Sequence, residues 1–394
     1  MIPVMAQTPI PPFDPFGLPA PPWVFEGLLT LTMLLHVLFM NFTLGGAVVA
    51  TVLDLLTLLR LGRHNLTVRL VWQMLPVTFS FTITTGVAPL LFVQVLFGQF
   101  FYTANVLLGF VWFALVPLAI AAFYLVYSLV CRLSNLLTGQ LGRWDRAPGK
   151  RLLLSLICAI LLSGVAAVLT TNHMLSIQPD QWAQQGQWLQ NRLSVTPMVT
   201  HPRLAHNFFG AVAIFGLGLM AVAWWRRARQ LDPPEITTIL LRTGLWVFLP
   251  TAATALVFGV VFFFLLPSEV SRQLLSPQAY SILWWIGLLA VIGQLVVAAL
   301  ALQQPQKPRW FAALAAGALV TLVGMICGRE QVRLGYLERE GLRLRQVWGE
   351  HVNPQPSSLW LFAITLVLAL GTLVWLLWVS ARAPRSPAAT PADG

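Results

Sequence analysis

The sequence predicts an all-α protein, a polytopic transmembrane helix bundle with about nine spans. Three observations support this prediction. The 394 residues are 57% hydrophobic and only 9% charged, with a mean hydropathy of +0.76, which is the composition of a membrane protein. Apolar runs of about 20 residues, the length that crosses a bilayer, recur along the whole chain. Basic residues collect in alternate connections, as they do in multi-pass proteins.

The predicted spans follow one another with short connections. The first is longer than a bilayer requires, so we expect it to tilt or to extend into the outer headgroup layer. Charged, glycine-rich or proline-rich stretches separate the other predicted spans from one another. The nine predicted spans cover residues 24–56, 71–98, 105–131, 151–175, 204–225, 240–267, 281–302, 309–328 and 358–380.

The distribution of positive charge predicts the orientation of the bundle. Taken over alternate connections, Lys and Arg number 16 on one side and 8 on the other. The richer side is cytoplasmic by the positive-inside rule, which places the N-terminus outside and the C-terminus inside. We expect a multi-pass protein of the bacterial inner (cytoplasmic) membrane. The net charge of +11 is then a topology signal, and no nucleic acid is expected as a partner.

The chain divides into three predicted regions. Residues 1–22 form a Pro-rich outer segment that lacks the pattern of a cleaved signal peptide. Residues 23–380 form a single transmembrane bundle, and residues 381–394 form a disordered cytoplasmic tail. The three cysteines show no paired spacing, so we interpret them as packing residues. They are Cys131, Cys158 and Cys327.

Four ionisable residues are predicted to lie towards the outer membrane face. His36 falls in the outer half of the first span, His173 ends the fourth, His206 begins the fifth and Glu330 follows the eighth. An unpartnered polar group costs several kcal/mol in hydrocarbon, about 2–7 on transfer scales. Ionisable residues inside spans are therefore candidates for function.

Haem suits such a group of residues, because an apolar bundle encloses the macrocycle and imidazole binds iron axially. No Cys-x-x-Cys-His motif occurs, which excludes covalent c-type attachment by this chain. Simpler interpretations remain open. His36 would hydrogen-bond between helices, the two terminal histidines would be interfacial, and Glu330 would pair with Arg329 or Arg333. The remaining histidines are interpreted as solvated: His64, His201 and His351.

Four segments resemble subunit I of the cytochrome bd quinol oxidase family. They are His36–Gly45, residues 79–87 with 97–100, Arg203–Gly210 and Glu330–Arg333. The resemblance extends over residues 24–380. It implies that His36 ligates a haem of the oxygen-reducing centre, that His206 ligates the low-spin haem b, and that Glu330 serves the other high-spin haem beside Arg333. It also implies two or three haem b groups, with a modified high-spin haem left open.

The chain departs from that family at three places. The two glutamates of the family's third helix fall at Gly109 and Pro117, and neither residue can relay a proton. The methionine that completes low-spin haem ligation falls near Leu283. The long quinol-binding loop is reduced to Pro267–Tyr280. His173 has no counterpart in the pattern, and we expect it to replace the missing methionine as an iron ligand.

These losses favour an electron-transfer subunit over a complete oxidase. Reducing oxygen requires protons, and a route for them needs titratable groups. We expect a b-type haem protein that exchanges electrons with a quinone or quinol or with a periplasmic cytochrome c, with a second membrane subunit as a further partner. Arg329–Ser358 is predicted as an outer, mixed-charge connection, which is either a docking surface for a soluble partner or a solvated loop without a special role. The alternatives are a quinol oxidase with an atypical proton path and a cofactor-free transporter or scaffold.

Overall fold

A computed structural model describes residues 10–61, 65–132, 147–183 and 198–382. The chain divides into two compact units. The larger contains residues 26–344, and the smaller combines residues 14–25 with the segment that begins at Arg345. His64 and the predicted tail from residue 383 lie outside the described residues. The prediction of one bundle over residues 23–380 stays a prediction.

Helices make up nearly all of the described chain. They are α1 (Pro22–Leu58), α2 (Asn65–Leu108), α3 (Phe110–Phe113), α4 (Leu115–Arg132), α5 (Pro148–Ser176), α6 (Thr200–Ala228), α7 (Pro234–Phe264), α8 (Ser268–Leu275), α9 (Ala279–Ala301), α10 (Pro308–Arg339), α11 (Leu344–Glu350) and α12 (Pro356–Arg382). A single 3₁₀ turn, Pro179–Gln181, follows α5.

Proline and glycine mark several of the helix boundaries. Five long helices begin with proline, which has no N–H to leave unsatisfied in the first turn and a φ already suited to the helix. They are α1, α5, α7, α10 and α12. Gly109 separates α2 from α3 with a φ of 49°, a conformation that glycine adopts without the steric cost of a Cβ.

Nine helices of the described residues are long and apolar enough to cross a membrane. The prediction of an all-α bundle with about nine spans is therefore confirmed. The largest error lies in the eighth span, whose predicted end is Gly328. Helix α10 continues to Arg339, and Glu330–Leu337 are buried. The predicted connection from Arg329 to Ser358 is thus helical over its first eleven residues and again in α11.

Glycine pairs bring the most tightly packed helices together. A Cβ on Gly216 of α6 would lie 2.7 Å from the carbonyl oxygen of Gly244 in α7. A Cβ on Gly287 of α9 would lie 2.9 Å from the Cα of Gly324 in α10. Backbones that approach this closely gain dispersion contacts, which drive helix association where lipid replaces water.

A buried ion pair joins α1 to α5. It lies near the C-terminal end of α1, away from His36. Arg151 Nη2 lies 2.6 Å from Asp54 Oδ1, with side chains 2% and 1% exposed. Ser155 donates to Asp54 Oδ2 at 3.0 Å. His36 and Asp54 are about 27 Å apart along the axis of α1, at 1.5 Å per residue.

In the smaller unit, a short extended segment pairs with the chain that follows α11. Leu18 N donates to His351 O and Asn353 N donates to Leu18 O, each at 2.7 Å. Gly17 adopts a φ of 69°, and a Cβ there would collide with the carbonyl oxygen of His351. His351 is exposed, as expected from the sequence.

Candidate functional site

His36 lies in the interface between α1 and α2. Its Nδ1 lies 3.0 Å from the carbonyl oxygen of Thr82. A carbonyl can only accept, so Nδ1 carries the proton of the neutral ring and Nε2 keeps its lone pair. Nε2 has no hydrogen-bond partner among the described residues. The interhelical hydrogen bond considered from sequence is therefore present, and it leaves the other nitrogen available.

His206 occupies a similar position between α6 and α7. Its Nδ1 lies 2.8 Å from the carbonyl oxygen of Ala255, so its proton is also assigned to Nδ1. Nε2 again has no partner in the part of the chain that the structure describes. Both rings are half-buried. An axial histidine of a metal site typically makes this contact, because the hydrogen bond fixes the tautomer and orients the ring.

A phenylalanine stack accompanies each histidine. Phe39, three residues after His36, stacks on Phe81 of α2 with ring centroids 4.8 Å apart. Phe209, three residues after His206, stacks on Phe258 of α7 at 5.8 Å with an interplanar angle of 3°. Residues three apart share one helix face, so each histidine and its stack face the same neighbouring helix.

Charged side chains of α10 form a buried cluster near the ends of α5 and α6. Arg333 Nη1 lies 2.8 Å from Glu330 Oε2, with side chains 2% and 5% exposed. Arg329 donates to the other carboxylate oxygen, Glu330 Oε1. The pairing considered from sequence therefore occurs with both arginines at once. The guanidinium of Arg333 also lies 4.2 Å from the centre of the Phe97 ring.

His173 joins this cluster from the end of α5. Arg333 Nη2 lies 3.3 Å from His173 Nδ1. Because arginine has only donors, Nδ1 must accept and the proton of the neutral ring lies on Nε2. His173 Nε2 is buried and has no hydrogen-bond partner within the described ranges. This tautomer is the opposite of that of His36 and His206, and it presents an N–H group.

Arg203 adds a third guanidinium from the first turn of α6. The side chain is buried, and Nη1 donates to the sulfur of Met174 at 2.8 Å. The guanidinium lies 5.4 Å from the ring centre of Phe262. No carboxylate of the described residues lies within ion-pair distance of it. Arg203 also lies one helical turn before His206, on the same face of α6.

Apolar side chains cover the charged cluster. Met174, Val332 and Tyr336 pack with Val270 and Leu274 of the short helix α8. A small cavity beside the cluster is lined by Glu26, Leu29, Leu96, Phe97, Tyr280, Glu330 and Leu334. It is too small for a porphyrin. A macrocycle would therefore have to separate side chains that pack together in this structure.

The structure thus brings together three of the predicted residues, His173, Glu330 and Arg333. His36 and His206 lie in two other helix interfaces. Sequence reasoning missed Arg203 as a site residue, although it stands in the Arg203–Gly210 segment. It also missed Gly86 and Gly259, which lie against the two histidines. The sequence does contain one signal that the two histidine sites are alike, because the pattern His-x-x-Phe occurs at positions 36–39 and again at 206–209.

At the three positions where the cytochrome bd pattern has two glutamates and a methionine, this chain has no side chain that could relay a proton or bind iron. Gly109 forms the break between α2 and α3, and Pro117 lies exposed in the first turn of α4. Leu283 is 39% exposed on α9. Between Pro267 and Tyr280 the chain forms the eight-residue helix α8. His201 is exposed, as expected, although it lies within α6 rather than in a loop.

The fold is similar to that of a solved bd oxidase. No protein-family model matches the sequence, and no curated protein matches it. The structure of bd oxidase from Geobacillus thermodenitrificans matches with a TM-score of 0.67 at 15% sequence identity. The match covers 94% of this chain and 99% of that chain. This chain therefore has the helical-bundle fold of a multi-pass membrane protein and resembles a bd oxidase chain in architecture.

Proposed function

We propose that this chain is a membrane-embedded b-type haem protein that transfers electrons and lacks full oxygen-reducing activity. One observation carries the proposal. His36 and His206 each donate a hydrogen bond from Nδ1 to a backbone carbonyl of a neighbouring helix, which leaves the Nε2 lone pair available to a metal. This arrangement joins two helices and, at both sites, keeps an imidazole lone pair that a metal could bind.

The donor chemistry fits haem iron. A neutral imidazole with its proton on Nδ1 offers the Nε2 lone pair that iron binds, and its hydrogen bond to a carbonyl makes Nε2 more basic. Haem, when bound, would supply a one-electron carrier. The chain would hold the rings of His36 and His206, orient them and exclude water from them. Glu330 stays a predicted ligand, although both of its carboxylate oxygens are already bonded to arginines.

The charged cluster supports binding of an anionic group. Arg329 and Arg333 pair with Glu330, Arg203 adds a third buried guanidinium, and Glu26 lines the same small cavity as Glu330. Positive groups still outnumber negative ones, and uncompensated charge is costly in a medium of low dielectric. Among the described residues, Arg203 has only a thioether as hydrogen-bond partner, and His173 Nε2–H has none. The carboxylates of a haem would satisfy these groups, with Arg203 and His173 as donors.

Electron transfer is the activity that best suits the remaining residues. Gly109 and Pro117 have no titratable side chain and cannot carry protons. We propose that quinol or a periplasmic cytochrome c exchanges electrons at the membrane face that holds the charged cluster, which positive-inside topology makes the outer face. A second membrane subunit and a bacterial inner membrane remain part of this proposal.

An absorption spectrum of the purified protein tests the proposal. We expect a Soret band and, after dithionite reduction, the α band of b-type haem. His36→Ala and His206→Ala should each remove part of the haem, whereas exposed His201→Ala should remove none. A colourless wild-type protein would contradict the proposal. Full haem content in both variants would contradict the ligand assignment, and rapid oxygen uptake with a reduced quinol would contradict the proposed lack of full oxygen-reducing activity.

A further inference from the structure

Two glycines make room for the two candidate ligand rings. A Cβ built on Gly86 of α2 would lie 2.9 Å from His36 Cε1 and 3.0 Å from His36 Nδ1. A Cβ built on Gly259 of α7 would lie 2.9 Å from His206 Nδ1 and 3.2 Å from His206 Cε1. Contacts this short between carbon and ring atoms are repulsive, so neither ring could keep its place beside an alanine.

The spacing of glycine and carbonyl is the same at both sites. Thr82, which accepts from His36, precedes Gly86 by four residues, and Ala255, which accepts from His206, precedes Gly259 by four. In an α-helix these two positions lie one above the other on the same face. The glycine therefore opens the surface directly over the carbonyl, and the imidazole edge reaches the oxygen through that opening.

Loss of this opening would change the chemistry of the ring. A ring displaced by a methyl group loses its hydrogen bond, and its proton is then free to move from Nδ1 to Nε2. A protonated Nε2 has no lone pair for a metal. The hydrogen bond also fixes ring orientation, and removal of such outer partners typically costs about 10–100-fold in metal affinity.

We infer that Gly86 and Gly259 are positioning residues that hold His36 and His206 as Nδ1–H tautomers, each with Nε2 directed away from the neighbouring helix. The inference deepens the proposed function and rests on it for the identity of the ligand. The geometry of the rings stands independently. The three atoms nearest to a Cβ at each glycine all belong to the ring of its histidine.

The test compares Gly86→Ala and Gly259→Ala with Gly293→Ala. Gly293 lies within α9, and a Cβ built on it would have no atom within 4 Å, so an alanine there meets open space. Alanine is the better helix former at all three positions, so reduced helix propensity cannot explain a loss. We expect the first two variants each to lose about 10–100-fold in haem affinity, and the third to bind haem as wild type does.

A second readout needs no haem. In ¹⁵N-histidine-labelled full-length protein prepared without haem, the nitrogen shifts of His36 and His206 should show protonated Nδ1 and bare Nε2. His36→Gln and His206→Gln assign the signals. Gly86→Ala should alter only the His36 pair and Gly259→Ala only the His206 pair, with Gly293→Ala unchanged.

The outcomes separate this inference from the proposed function. Wild-type protein that binds haem, with glycine variants indistinguishable from Gly293→Ala in both readouts, would overturn the inference and leave the function standing. Wild-type protein that binds no haem but shows both Nδ1–H tautomers, lost in the matching variant, would support the positioning role and overturn the function.

Discussion

Arg333 donates to His173 Nδ1 across 3.3 Å, and this contact assigns the ring proton to Nε2. The sequence predicts His173 as an iron ligand that replaces a missing methionine, and that ligation stays a prediction. The tautomer favours another role, because a protonated Nε2 can donate to an anion and cannot bind iron.

Replacement of His173 distinguishes a hydrogen-bond donor from a ligand. His173→Gln should keep haem content near wild type, since the glutamine amide can both accept from Arg333 and donate. His173→Leu leaves the buried guanidinium without that acceptor and should lower the free energy of unfolding by about 1–3 kcal/mol. Thermal unfolding in detergent and the haem-to-protein ratio measure the two effects. Haem loss in His173→Gln equal to that in His206→Ala would instead establish ligation.

Glu330 should be essential to the stability of the cluster. Glu330→Gln removes the carboxylate that neutralises Arg329 and Arg333, and breaking a buried pair from one side costs about 3–5 kcal/mol. We expect a large fall in the melting temperature or a loss of folded protein. Glu269→Gln is the control, because Glu269 pairs with Arg272 at 4.0 Å on the exposed surface of α8, and exposed pairs contribute little. Equal melting temperatures for the two variants would contradict the buried pair.

Arg203 should have opposite effects on the apoprotein and on haem binding. In the apoprotein its charge is buried without a carboxylate among the described residues, so Arg203→Leu should leave the melting temperature unchanged or raise it. The same change removes a charge-assisted donor to a bound carboxylate, a contact of about 1.5–3 kcal/mol, and should weaken haem binding roughly 10–100-fold. Haem titration of the apoprotein, with exposed Arg272→Leu as control, measures this. An apoprotein that unfolds far more readily would show that Arg203 has a structural partner.

The pH dependence of stability should include a contribution from Glu340, at the end of α10. Burial raises the pKa of its carboxyl, nearby Asp180 raises it further, and Arg339 opposes the shift. The folded state then binds the proton more tightly than the unfolded state. Stability should therefore rise as pH falls through the folded pKa towards the unfolded value, and decline as pH rises. The effect is small, because Glu340 is only partly buried.

Glu340→Gln should flatten that part of the profile. Melting temperatures recorded between pH 7 and pH 4 in one detergent would show it. Wild type should gain stability relative to Glu340→Gln as pH falls through the folded pKa of Glu340 towards its ordinary value, and the two curves should run parallel at higher pH. A difference of the opposite sign would mean that Arg339 dominates over burial.

The spans could be predicted from sequence because lipid requires long apolar helices, whatever their packing. The end of α10 could not. Arg329, Glu330 and Arg333 have the composition of a water-exposed segment, and only their mutual pairing allows them to be buried. That pairing depends on how α5 and α6 approach α10, which single-sequence patterns do not contain.

Some residues of the candidate site could likewise be predicted from the sequence and others could not. His36 was found because a lone histidine in an apolar run is rare, and His206 because it lies at the predicted outer start of the fifth span, in a segment that resembles the cytochrome bd family. Gly86 and Gly259 were not, because glycine is frequent in membrane helices and their contacts lie about fifty residues away in the chain. Arg203 was noted only as part of a motif, since an arginine near a helix start is usually interfacial. Its burial beside Met174 follows from tertiary packing alone.

The buried ion pair near the C-terminal end of α1 allows the stability of the protein to be changed without a change in haem binding. Asp54→Asn leaves Arg151 buried, 2.6 Å from a group that no longer carries charge, and Ser155 loses its carboxylate acceptor. Unfolding should become easier by about 3–5 kcal/mol.

Haem, however, should be unaffected in the Asp54→Asn protein that remains folded, because the pair lies about 27 Å from His36 along α1. Size-exclusion chromatography isolates that folded fraction, and its reduced-minus-oxidised spectrum per chain should equal that of wild type. A change in the wavelengths of the haem bands, in addition to their intensity, would show that the two ends of the bundle are coupled. An unaltered spectrum would show that haem binding does not depend on the ion pair between Asp54 and Arg151.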